Sequence, residues 1–172
     1  MCEFMSWINR RDKNYFLTTD QLKTRRGQKL LKSIGYEDIN GHGAIREYYR
    51  IDSGDGINKE YTDFSSPNNF PPEIVAAIKA GKFRGFGIAT GLLTATAWEV
   101  YEEAIATTWK VYEEATDTAW EVYKEATDTA RKTEQWEVYE EAIAPTWKVY
   151  EEATDIFWDL FTVEENRAEA WR

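Results

Sequence analysis

Hydrophobic and polar positions follow two different rhythms along this chain, and the change falls near residue 90. In the first part, apolar residues come in short runs separated by polar or glycine-rich punctuation. Cys2-Glu3-Phe4-Met5-Ser6-Trp7-Ile8 and Tyr15-Phe16-Leu17-Thr18-Thr19 are aromatic, β-prone runs flanking the polar residues 9–14, which predicts a β-hairpin. Thr19 or Asp20 is placed to cap a helix that carries Leu22, Leu30, Leu31 and Ile34 and ends at Gly35, with Gly27 as a weak point inside it. After the turn Asn40-Gly41-His42-Gly43, residues 44–49 predict a short helix with Ile45, Tyr48 and Tyr49 turned inward. Ser53-Gly54-Asp55-Gly56 is a second turn, and residues 57–70 read as a loop or an edge strand. Pro71-Pro72-Glu73 opens a helix over 74–80 that Gly81 ends.

From residue 97 to 161 the rhythm is an eleven-residue phrase. It runs Ala97-Trp98-Glu99-Val100-Tyr101-Glu102-Glu103-Ala104, then Thr108-Trp109-Lys110-Val111-Tyr112-Glu113-Glu114-Ala115, then Ala119-Trp120-Glu121-Val122-Tyr123-Lys124-Glu125-Ala126. After a defective copy at 130–134 it resumes, and residues 97–118 return almost letter for letter as 135–156, the mark of an internal duplication. Eleven residues at about 100° each make three turns plus about 20°, so every copy of one position returns to nearly the same helix face. One face is then aromatic and the other acidic. Helical spans over 92–132 and 135–162 are expected, meeting where Arg131 replaces Trp, as an αα-hairpin with stripe packed on stripe. Pro145 predicts a kink in the second arm. The fold class is therefore α+β, with a small α+β domain over 1–90 and a mainly helical Trp/Tyr repeat arm over 91–172.

Composition sharpens this picture only where charge is concerned. Net charge is −10, but residues 1–90 carry 14 basic against 11 acidic side chains and residues 91–172 carry 7 against 20. Halves of +3 and −13 disfavour direct binding to nucleic acid or to an anionic membrane, and allow a basic protein partner. Cys2 is the one cysteine, so neither an intramolecular disulfide nor a thiolate metal site is expected. With no signal-like or membrane-length apolar run, a reducing cytoplasm is the expected location.

Four constellations have the right residue types for chemistry, and each has a plainer reading that outweighs it. His42, between two glycines, is the lone general-base candidate near neutral pH, but nothing in the sequence fixes it beside Cys2 or Asp38. Asp52-Ser53-Gly54-Asp55-Gly56 lacks the alternating ligands and closing Glu of a calcium loop, so turn chemistry explains it. Lys82-Phe83-Arg84-Gly85-Phe86-Gly87 mixes basic and aromatic residues as single-strand platforms do, yet is short enough for a linker. Lys23, Arg25, Arg26, Lys29 and Lys32 make a denser basic patch, suited to phosphate or to the chain's own acidic tail. No catalytic, cofactor-binding or metal-binding residues are assigned.

Cys2-Glu3-Phe4 with Ser6-Trp7, Tyr15-Phe16-Leu17-Thr18, Gly41-His42-Gly43-Ala44-Ile45-Arg46, Asn69-Phe70-Pro71, and Phe157-Trp158-Asp159-Leu160-Phe161 with Ala170-Trp171-Arg172 accompany the Ala-Trp-x-x-Tyr repeats. In this combination the chain resembles a group of small phage and prophage proteins, over nearly its whole length. The resemblance implies a viral context and supplies no catalytic residues. With the acidic arm, it leads to the expectation of a non-enzymatic protein-binding module. In this reading it inhibits a host antiviral defence system, as anti-CRISPR proteins do, by occluding a basic or assembly surface of a defence nuclease complex or its signalling machinery. The expected partner-binding residues are Trp98, Tyr101, Trp109, Tyr112, Trp120 and Tyr123 on the aromatic face and Glu99, Glu103, Glu113 and Glu114 on the acidic one. Two alternatives stay open: a homo-oligomer assembled through the aromatic stripe, and a small-ligand (nucleotide signal) binder or enzyme centred on the N-terminal domain.

Overall fold

The strand β1, Met5–Arg10, is the layer on which everything else is stacked. The computed structural model describes residues 4–34, 39–106, 110, 114, 117, 148 and 151–172. β1 pairs antiparallel with β2, Lys13–Tyr15, on one side and with β3, Ile57–Tyr61, on the other, giving the order β2-β1-β3. The expected hairpin forms, but its turn is only Arg11 and Asp12, with φ of 50° and 61°. Positive φ at both central residues matches the twist of the flanking strands, so the polar residues around the turn join the ladder instead of looping out. Asn9 Nδ2 accordingly donates to Asn14 Oδ1 at 2.9 Å across the pair.

Both faces of β1 are covered, which explains its near-continuous apolar run. Met5 and Trp7 point to one face and Ile8 to the other, as the two-residue period requires. On the Ile8 face lie α1 (Thr19–Leu22), α2 (Arg25–Ile34) and α3 (His42–Tyr49), packing Leu22, Leu30, Leu31, Ile39 and Ile45 into one cluster. Two short helices stand where one continuous helix is expected. Gln21 Oε1 accepts the Thr18 N–H at 2.8 Å in a capping box, and α1 ends after one turn. Gly27 is the reason α2 can fold back on it: a Cβ there would lie 2.2 Å from the Gln21 carbonyl oxygen and 2.4 Å from Leu22 Cα.

On the Met5/Trp7 face lie α4, Pro72–Lys79, and two helical stretches, 95–106 (α5) and 151–162 (α6). Pro72 in the first turn and Gly81 at φ 65° bound α4 as expected. One core joins Trp7, Ile74, Tyr101, Phe157, Phe161 and Trp171, so residues from both sides of position 90 seal the same face of the sheet. The segment after α6 closes over it in two 3₁₀ turns, Glu164–Asn166 and Glu169–Trp171. Leu93 and Arg167 form an antiparallel bridge, with Thr94 N–H donating to Asn166 O at 2.8 Å and Ala168 N–H to Leu92 O at 2.9 Å. Among the described residues no helix is long and apolar enough to cross a membrane. The Arg131 corner, Pro145 and most of the repeats lie outside the described residues.

Candidate interaction surface

α5 begins where Thr94 turns the chain: its Oγ1 accepts the Ala97 N–H at 3.2 Å and its carbonyl the Trp98 N–H at 2.9 Å. From there every fourth residue, Ala97, Tyr101 and Ile105, is buried. Tyr101 is only 1% exposed and meets Phe157 of α6 edge to face at 5.6 Å. Trp98 sits at the rim of this stripe, half-buried, 6.3 Å from Phe157, with its Nε1–H donated to Glu102 Oε1 at 2.8 Å. The inward line is thus centred on Tyr101 rather than on Trp98. Glu99, Val100, Glu102 and Glu103 face outward, and Val100 is 48% exposed among these carboxylates.

The expected partner-binding residues therefore separate. Glu99 and Glu103 are exposed, as is Glu114; Trp98 offers one edge; Tyr101 belongs to the core. Trp109, Tyr112, Trp120, Tyr123 and Glu113 lie outside the described residues. On α6 the inward aromatics form a ladder of edge-to-face contacts, Phe157–Trp158 at 5.5 Å and Trp158–Phe161 at 5.6 Å. Trp158 Nε1–H is satisfied by the Gly87 carbonyl at 3.1 Å, which ties the aromatic ladder to the segment 82–87.

That segment does structural work. Phe83 is buried, and Arg84 reaches α6, donating from Nη1 to Asp155 Oδ1 at 3.0 Å and from Nη2 to Asp159 Oδ1 at 2.5 Å. Burial opposes the guanidinium charge, yet the hydrogen bonds to Asp159 and Asp155 outweigh it and raise the Arg84 pKa. Arg84 and the Trp171 clasp are the residues sequence reasoning missed. Their partners lie more than seventy positions away, and only the concentration of aspartates on one side of α6 hints at the clamp.

The other constellations resolve into local chemistry. His42 opens α3, and its Nε2 is 2.9 Å from the Lys59 carbonyl, an acceptor, so that nitrogen carries the proton. Cys2 and Asp38 lie outside the described residues. In the 52–56 turn a guanidinium sits where a cation would be needed. Arg46 Nη1 donates to the carbonyls of Asp52 at 2.5 Å and Asp55 at 2.9 Å, while Arg10 pairs with the Asp55 carboxylate. That hydrogen bond is the largest cause holding the Asp55 carboxyl below its ordinary range. Among the described residues no cluster of His, Cys, Asp and Glu has the makings of a metal site.

The basic patch is real and outward-facing: Lys23, Arg25, Arg26, Lys29 and Lys32 are all exposed. Beneath it Tyr15, Tyr48 and Tyr49 stack edge to face at 5.1 and 5.0 Å, and Arg26 lies over the Tyr48 ring at 5.1 Å. No protein-family model matches the chain, and no curated protein or solved structure matches it either.

Proposed function

We propose that this chain is a non-enzymatic protein-binding module of viral origin, in which a small sheet-and-helix head carries an αα-hairpin of eleven-residue repeats. The observation that supports this reading is the division of α5. Ala97, Tyr101 and Ile105 are consumed by the core, while Glu99, Glu102 and Glu103 form an outward acidic face beside the exposed Val100. A buried aromatic stripe holds the surface rigid, so little entropy is lost when it docks. A basic surface of a host protein is the complementary partner, and a defence nuclease complex or its signalling machinery is the class of target that a viral inhibitor would occlude. The host cytoplasm is where such a target would be met.

The test uses the full chain as bait in bacterial lysate, comparing wild type with a variant carrying Glu99→Gln, Glu103→Gln, Glu113→Gln and Glu114→Gln. One host protein retained by the wild type and lost from the variant supports the reading. Equal retention by both rejects the acidic face as the binding surface.

A further inference from the structure

We propose that the basic face of α2 docks onto the acidic face of α5 in a second copy of this chain. α2 turns Gly27, Leu30 and Leu31 inward and leaves Arg25, Arg26, Lys29 and Lys32 on its outer side, within an arc of about 120° and along about 10 Å of helix. Among the described residues neither these four nor the adjacent Lys23 forms an ion pair. Such a stripe of like charge repels itself until an anion meets it.

The chain itself supplies a matching anion. Glu99, Glu102 and Glu103 project from α5 at i, i+3 and i+4, within an arc of about 100° that exposed Val100 flanks. Two helices with stripes of opposite charge can lie side by side, the carboxylates of one set among the guanidinium and ammonium groups of the other. The two surfaces cannot meet within one head, because α2 belongs to the Ile8 face of the sheet and α5 to the Met5/Trp7 face. Their pairing therefore joins copies. A two-fold arrangement uses the contact twice, with each copy contributing one α2 and one α5, and so closes into a dimer. Nucleic acid is a poorer occupant, since the net charge of −10 opposes the approach of a polyphosphate to the chain as a whole.

The inference rests on reading the α5 acidic face as a binding surface, but it concerns the purified chain alone and needs no host protein. Exposed ion pairs are individually weak, so association should be modest and salt-sensitive. Sedimentation velocity of the full chain at roughly 100 µM is the experiment, in about 50 mM and about 0.5 M salt. The expected result is a two-chain species at low salt whose association weakens about tenfold or more at high salt.

Charge reversal separates this from other modes of association. Lys29→Glu with Lys32→Glu, and separately Glu99→Lys with Glu103→Lys, should each give a monomer at low salt, and an equimolar mixture of the two variants should recover the two-chain species. Recovery on mixing also shows that the variants are folded. A wild type that stays monomeric overturns the proposal, as does an association that neither reversal weakens or a mixture that fails to recover it. A monomer that instead binds a fluorescent single-stranded oligonucleotide, and loses it on Lys29→Glu with Lys32→Glu, assigns the face to nucleic acid and equally overturns it.

Discussion

Trp171 donates its Nε1–H to the carbonyl oxygen of Phe64 at 2.6 Å, across 107 positions of sequence. The indole is fully buried against Phe70 at 6.2 Å, and the neighbouring Arg172 carbonyl accepts from Lys79 Nζ at 2.9 Å. The segment after α6 is therefore a clasp on the head, and removing it would open the core that Trp7 and Ile74 share with Phe157 and Phe161. For this reason the surfaces have to be probed by point substitution, not by truncation at the start of α5.

Trp171→Ala should destabilise the protein by about 3–5 kcal/mol, the range for truncating a large buried aromatic. Trp171→Phe keeps most of the volume but leaves the Phe64 carbonyl without its donor, so about 1–3 kcal/mol is expected. Urea unfolding followed by Trp fluorescence measures both. A change below about 0.5 kcal/mol for either would mean the clasp is not closed in solution.

The two helical glycines should respond in opposite directions. Gly27→Ala drives a methyl into the Gln21 carbonyl and the Leu22 backbone, forcing α1 and α2 apart. A loss of about 1–3 kcal/mol is the usual cost of such overpacking. Gly43, in the first turn of α3, has nothing within 4 Å of an added Cβ, so Gly43→Ala should stabilise by about 0.5–1 kcal/mol. Thermal melts of the pair decide it, and a stable Gly27→Ala protein would contradict the close crossing.

These two glycines also show how far the sequence could be read. The hairpin and the Pro72-to-Gly81 helix were legible, because turn residues are local signals, whereas β3, exposed along its whole length, gives no alternation to separate an edge strand from a loop. The break between α1 and α2 was not, since Gly27 acts through a contact with Gln21 that no periodicity encodes. In α5 the buried line of Ala97, Tyr101 and Ile105 and the outward glutamates were legible from helical spacing within one copy of the phrase. Which aromatic lies deepest was not: both rings meet Phe157, but Tyr101 is buried and Trp98 stays at the rim, and that depends on how α5 is rotated against α6. In sequence Arg84 looks like part of a linker, because Asp155 and Asp159 are brought to it only by the tertiary fold.

Arg84→Gln should loosen α6 from the head by about 1 kcal/mol, with the difference from wild type shrinking as salt is raised. Arg84→Lys should rescue only part of it, since an ammonium cannot bridge two carboxylates in a planar fork. Melting curves of the three proteins in low and high salt test this. A salt-independent difference would assign Arg84 a packing role instead.

Acid should destabilise the fold in a window set by two aspartates. Asp55 is held below the ordinary value of 3.8 chiefly by its hydrogen bond to Arg10, and Asp63 chiefly by its hydrogen bonds to Ser65. A carboxyl whose folded pKa is depressed contributes stability that is present above the unfolded value and lost as pH falls through the folded one. Stability should therefore decline below about pH 4, and the decline should be shallower in Asp55→Asn and Asp63→Asn proteins. Unfolding free energies between pH 2 and pH 6 check this, and identical slopes in wild type and variants would remove these groups from the account.

The most direct test of the acidic face as a binding surface is a photo-crosslink. A benzophenone side chain at Val100, 48% exposed between Glu99 and Glu103, is compared with one at Ile57, 60% exposed on the edge strand of the head. Each full-length protein is illuminated in bacterial lysate and its adducts are identified by mass spectrometry. The expected result is a discrete adduct with a host protein from Val100 that is absent from Ile57 and suppressed by Glu99→Gln with Glu103→Gln. Absence of a host adduct at Val100, or the same adduct from both positions, would contradict it.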